Sequence, residues 1–123
     1  MNESLKGKAP MSEIVVFSTA DSVETAAKIA RALVEQKEAA CVNIISGIRS
    51  IYRWEGTVCD ESELLMIIKT TRASFEQVRR RIRALHTYQV PESIAVPVVA
   101  GDEDYLAWLR SNVEQTPPRE NLV

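Results

Sequence analysis

Histidine occurs once in these 123 residues, cysteine twice and glycine four times, and each scarcity excludes something. Cys41 and Cys59 stand far apart and in no CxxC arrangement, so the chain has neither a disulfide framework nor a zinc-ribbon pattern. Gly47, Gly56 and Gly101 are isolated, which leaves no glycine-rich loop to cradle a phosphate. No Ser or Cys has a neighbouring base in a recognisable nucleophile pattern, so the reading is of a protein that is not an enzyme. No run approaches membrane-spanning length, and Met1 to Pro10 lacks the apolar stretch of a secretory leader. A cytoplasmic location and no membrane partner are expected. The formal net charge of -2 gives no global field toward nucleic acid. The basic run Arg79-Arg80-Arg81 does not change this. Phe75, Val78, Ile82 and Leu85 recur through it at helical spacing, which puts the arginines on a wet face without interleaved aromatics.

What the chain does have is β-forming residues concentrated in one block. Cys41 to Trp54 reads as a very long strand with a small-residue break at Ser46-Gly47 and a turn at Glu55-Gly56. Thr57 to Thr71 returns. A strand of this length exceeds what a small domain covers, so part of it should project and pair with another chain. Ile14 to Thr19 is a short apolar run bounded by polar residues, hence a buried strand. Asp21 and Ser22 offer N-caps for a first helix, whose expected apolar stripe is Val23, Ala26, Ala27, Ala30, Leu33 and Val34. A second helix is expected from about Ser74 to Leu85, then a loop from His86 to Glu92, then a strand from Ile94 to Val99. Pro97 marks that strand as an edge. Gly101-Asp102 opens a last helix through Tyr105, Leu106, Leu109 and Val113.

The order predicts an α+β ferredoxin-like βαββαβ sandwich with an extended β-hairpin and an additional C-terminal helix. A flexible leader over 1–12 and a flexible tail over 114–123 are expected to flank a single domain over 13–113.

The residues that could carry chemistry are few. His86 stands beside Tyr88 and before Glu92, a setting for a metal ligand, a proton carrier or a histidine bonded to nearby backbone. Tyr52, Trp54 and Tyr88 are the aromatics that would line a cleft or pack against a partner chain. Glu61 and Glu63 share one strand face, for acid–base work or as a wet surface. Cys41, among Ala40, Val42 and Ile44, reads as a buried thiol, and Cys59, beside Asp60 and Glu61, as an exposed one.

Ala39-Ala40-Cys41-Val42-Asn43, Ser50-Ile51-Tyr52-Arg53-Trp54-Glu55-Gly56, Ile68-Lys69-Thr70 and the His86 to Glu92 loop closely resemble the CutA family of divalent-cation tolerance proteins. Gly101-Asp102 followed by Tyr105-Leu106-Ala107-Trp108-Leu109 resembles that family's C-terminal segment, and the likeness runs from about Ile14 to Asn112. It implies a ferredoxin-like subunit, a homotrimer formed through sheet edges, and a link to tolerance of copper and other divalent metals. Family members with a copper site carry Cys where this chain has Ser18, His where it has Leu85, and Pro where it has Thr87. The implied metal set is therefore His86 as main ligand, with Glu92 or Cys41 of a neighbouring subunit as helper, holding copper or another divalent cation weakly. The alternative is a small-molecule-sensing module, since trimeric ferredoxin-like signalling proteins of the PII family bind ligands between subunits. An acylphosphatase-like enzyme would need an anion-cradling loop that Phe17-Ser18-Thr19-Ala20-Asp21 does not offer.

Overall fold

The computed structural model describes residues 12–114. The expected leader and tail lie outside these residues, apart from Ser12 and Glu114. Strand β1 (Glu13–Ala20) leads to helix α1 (Val23–Glu35), then strands β2 (Cys41–Trp54) and β3 (Thr57–Thr71). A short 3-10 turn (Arg72–Ser74) precedes helix α2 (Phe75–Leu85), followed by strand β4 (Ile94–Pro97) and helix α3 (Glu103–Ser111). The strands form one sheet in the order β2-β3-β1-β4. Every pairing is antiparallel. This is the ferredoxin-like topology, with β2 and β4 as its edges.

Alternation along β1 and β3 separates two faces. Ile14, Val16 and Ala20 of β1 join Leu64, Met66 and Ile68 of β3 against Ala26, Ile29 and Leu33 of α1 and Val78 and Ile82 of α2. The α1 stripe differs from the expected one. Ile29 supplies its centre, while Val23 and Val34 are 61% and 42% exposed. Residues 26, 29 and 33 fall at i, i+3 and i+7, a narrow line that two packed neighbours select from a helix apolar on two sides. Each fully buried Ile or Leu contributes roughly 1.5–3 kcal/mol. Ser22 caps α1, accepting from the Thr25 amide at 3.1 Å.

Helix α3 covers one end of the opposite sheet face. There α3 buries Leu109 against Ala40 and Val113. Lys69 Nζ lies 5.7 Å from the centre of the Tyr105 ring. The Asp102 carboxylate caps α3 by accepting from the Tyr105 amide at 3.2 Å. Arg110 reaches back across the chain to the buried Glu13, 2.7 Å away.

The hairpin has two parts. Cys41–Ile45 pairs with Leu65–Lys69 in regular register, a bulge falls between Ile45 and Ile48, and pairing resumes to Trp54 opposite Thr57. Gly47, at φ +80°, takes the bulge conformation that a side chain resists. Glu55 and Gly56 both have positive φ, 49° and 83°, as a two-residue type I′ turn requires. Beyond the bulge β2 runs past both helices, and Ile51, Trp54 and Val58 are exposed.

Candidate functional site

The register places Ser50 opposite Glu61, Tyr52 opposite Cys59 and Trp54 opposite Thr57. Directly paired residues share a face, so Tyr52, Trp54, Glu61 and Glu63 all look away from the helices. The Tyr52 hydroxyl donates to Glu61 Oε1 at 2.6 Å. That bond to a carboxylate, followed by desolvation, pushes the Tyr52 phenol above its ordinary value.

The loop after α2 folds over this face, and His86 determines how. Its Nε2 lies 2.6 Å from the Thr19 carbonyl oxygen, which can only accept, so Nε2 carries the proton. Its Nδ1 accepts from the Tyr88 amide at 3.1 Å. The two rings sit 4.3 Å apart. Thus anchored, the Tyr88 hydroxyl donates to Glu63 Oε2. Burial first, then this bond and the Glu63 charge, raise the Tyr88 phenol far above the usual range. Thr19, His86, Tyr88 and Glu63 form one continuous hydrogen-bonded chain from β1 to β3.

A cleft of about 660 Å³ opens beside it, walled by Tyr52, Trp54 and Tyr88, with Glu63 and Glu92 as its charged groups. Thr19, Ser50 and Gln89 add polar lining, and among the described residues no Lys or Arg contributes. Glu63 is only 7% exposed, which corrects the wet-face alternative for that residue, while Glu61 is exposed. Burial, reinforced by the Glu63 charge, raises the Glu92 carboxyl above its usual value. The aromatics proposed from sequence do line a cleft. The Tyr88–Glu63 bond was not foreseen, because the two residues are 25 positions apart and share no local pattern.

The expected metal set is not gathered within the chain. Both His86 nitrogens are engaged, so no lone pair is free for an ion. Cys41 pairs with Lys69, four residues along β3 from the Leu65 that faces Thr19. That is roughly 13 Å along the sheet at the usual rise per residue. Glu92 enters the cleft rather than the His86 anchor. Ser18 is fully buried, and its Oγ has no partner among the described residues. Leu85 packs on the core. Among the described residues no group of three or more His, Cys, Asp or Glu could hold a metal ion. The described residues of the single chain therefore do not fit a resident metal. Cys41 and Cys59 are both half-buried, neither as buried nor as exposed as expected.

The arginine run is a solvated face held by ion pairs. Arg79 and Arg80 reach Glu76, and Arg81 makes a bidentate contact with Glu38 at 2.9–3.0 Å.

Fold and site together define a ferredoxin-like domain with a projecting hairpin and an acidic, aromatic cleft at its root, and among the described residues no group of three or more His, Cys, Asp or Glu could hold a metal ion. The chain belongs to the CutA family: residues 14–112 match the family described as CutA1 divalent ion tolerance protein. The divalent-cation tolerance protein CutA of Thermus thermophilus is 51% identical over 100 residues, covering 81% of this chain and 97% of that one. Protein CutA of Homo sapiens is 42% identical over 113 residues, which is 92% of this chain but 63% of the human one. Among solved structures, CutA1 from Oryza sativa superposes with a TM-score of 0.83 at 38% identity, over 87% of this chain and 98% of that one. No helix among the described residues is long and apolar enough to cross a membrane.

Proposed function

We propose that this chain acts as a cytoplasmic homotrimer in the response to divalent metal ions, copper among them, without catalysing a reaction. The observation that carries the assembly is apolar surface at both sheet edges. Ile44, Ile45 and Ile51 on β2 and Ile94 and Val96 on β4 are all exposed in the single chain. Two edge strands with unpaired backbone groups and this much apolar surface resemble half of an obligate interface. Membership of a family described by divalent ion tolerance supports the metal link.

Direct metal binding is weak in this reading, with His86 as main ligand and Glu92 or a neighbouring subunit's Cys41 as helper. Ligation at His86 must first break its bond to Thr19 or to Tyr88, and neither Ser18 nor Leu85 offers a compensating soft or nitrogen donor. Light scattering at micromolar concentration should give three times the 13.8 kDa chain mass. Copper titration should show weak binding that His86→Ala removes and Cys41→Ser reduces. A monomer mass, or tight stoichiometric copper binding that survives His86→Ala, overturns the reading.

A second reading, a PII-like small-molecule sensor, is favoured by the cleft. Its volume suits an organic ligand better than a bare ion.

A further inference from the structure

We propose that the cleft at the hairpin root binds a small organic cation, an amine or guanidinium on an apolar body, held by Glu63 and Glu92 against Tyr52, Trp54 and Tyr88. The inference rests on the small-molecule reading and names its ligand class. Charge carries it. Glu63 is only 7% exposed, and among the described residues it accepts from the Tyr88 hydroxyl and pairs with no cation. A carboxylate this far from water is ordinarily paired with a cation. Glu92, half-buried at the same cleft, forms no hydrogen bond or ion pair with another described residue. Its carboxyl feels the Glu63 charge. Two like charges face one space from different elements, and among the described residues no basic side chain lines it. A positive ligand relieves both at once.

The walls fit the same ligand. Three aromatic side chains supply the electron-rich faces to which ammonium and guanidinium groups are attracted. The volume, about 660 Å³, lies within the range of small-molecule sites. Other ligand classes fit worse. Hard divalent ions take six or more oxygen ligands, and here one of two carboxylates is already tied to a phenol. Phosphates and nucleotides would meet two carboxylates and no cation.

The test is calorimetry on the full chain with three size-matched probes: phenethylamine, the neutral phenethyl alcohol and the anionic phenylacetate. Phenethylamine should bind, and each of Glu92→Gln and Glu63→Gln should weaken it about tenfold or more. Glu63→Gln keeps an oxygen that accepts from Tyr88, and Glu92 has no partner to lose, so both variants should remain folded. Asp104→Asn, on α3, should leave binding unchanged. If the alcohol or phenylacetate binds as tightly as the amine, the charge assignment is overturned while small-molecule binding stands. If none of the three binds to protein of unchanged oligomeric mass, both the inference and the sensor reading fail. Stoichiometric copper or magnesium chloride displacing bound phenethylamine would give the cleft to metal and also overturn it.

Discussion

The two parts of the β2–β3 hairpin are made of similar residues and live in different surroundings. Near the helices, Leu64, Met66 and Ile68 alternate inward against α1 and α2 and are almost fully buried. Past the bulge at Gly47, Ile51, Trp54 and Val58 are of the same apolar character but 65%, 41% and 60% exposed. Backbone pairing continues to the turn in both parts. The difference lies in what covers the strands: a β-forming sequence dictates the ladder, but only a second layer makes a core. The near part gets its layer from its own helices. The far part has no such layer within the chain, and the proposed trimer is where it would gain one.

The largest effects should separate these two cases. Leu33→Ala, in the helix that covers the near part, removes a side chain with no exposure and should cost about 2–5 kcal/mol at any protein concentration. Ile51→Ala should be within about 0.5 kcal/mol in a single chain. In a trimer that buries Ile51 it should lower the melting temperature in a concentration-dependent way and loosen assembly. Urea and thermal unfolding of both variants over a hundredfold range of concentration decide it. A concentration-independent, near-neutral Ile51→Ala would show the far part to be bare in the assembly as well.

Ion pairs repeat the contrast on a smaller scale. Arg49 meets Asp60 through two contacts of 2.6–2.8 Å on the far part, both side chains well exposed, and removing either should leave stability unchanged within error. Arg110 instead meets Glu13, which is 1% exposed. Burial raises the Glu13 carboxyl, but bonds from Arg110 and Ser12 outweigh it and hold the group below its ordinary value. A carboxylate depressed on folding contributes stability above its unfolded pKa and loses it as pH falls through the folded one. Arg110→Ala should therefore cost roughly 3 kcal/mol at neutral pH, where it strands a buried charge. The gap from wild type should close below about pH 4. Unfolding in urea at pH 7 and pH 3 measures it. An equal loss at both would assign Arg110 to packing alone.

Much of this architecture can be read from the chain, and what cannot has a common cause. Both hairpin strands run as expected, Cys41–Trp54 and Thr57–Thr71, because alternation and a Glu-Gly turn are local signals. Pro97 correctly marked an edge, although β4 stops there instead of reaching Val99. The α1 face was misjudged, because small alanines around the helix leave its orientation to α2 and the sheet. Of the site, Tyr52, Trp54, Tyr88 and Glu92 were singled out. The reading of His86 as bonded to nearby backbone holds for the Tyr88 amide, two residues on, whereas the burial of Glu63 and the reach of His86 to Thr19 depend on residues far apart in the chain. Glu13 is the extreme case, its partner lying 97 residues away.

A smaller effect than that of Arg110 tests whether the far part opens independently of the near one. Glu55 occupies the first turn position at φ 49°, where a branched or long side chain is strained and Asn is better tolerated. Lys37 holds a similar conformation, φ 59°, just after α1, where glycine is the usual residue. Glu55→Asn and Lys37→Gly should each stabilise their own segment by about 0.5–1 kcal/mol. Their reach should differ. The turn at residues 55–56 joins strands that no helix backs, so the hairpin tip can fray while the core stays closed. Lys37 ends a helix embedded in that core, so relieving it should slow global opening. Amide hydrogen exchange distinguishes the two. Glu55→Asn should raise protection only from about Ile48 to Glu63, with Lys37→Gly raising it across β1, β3 and α2. Uniform protection gained from Glu55→Asn would mean that the hairpin opens only with the whole subunit, and the division at the bulge would have geometric but no energetic meaning.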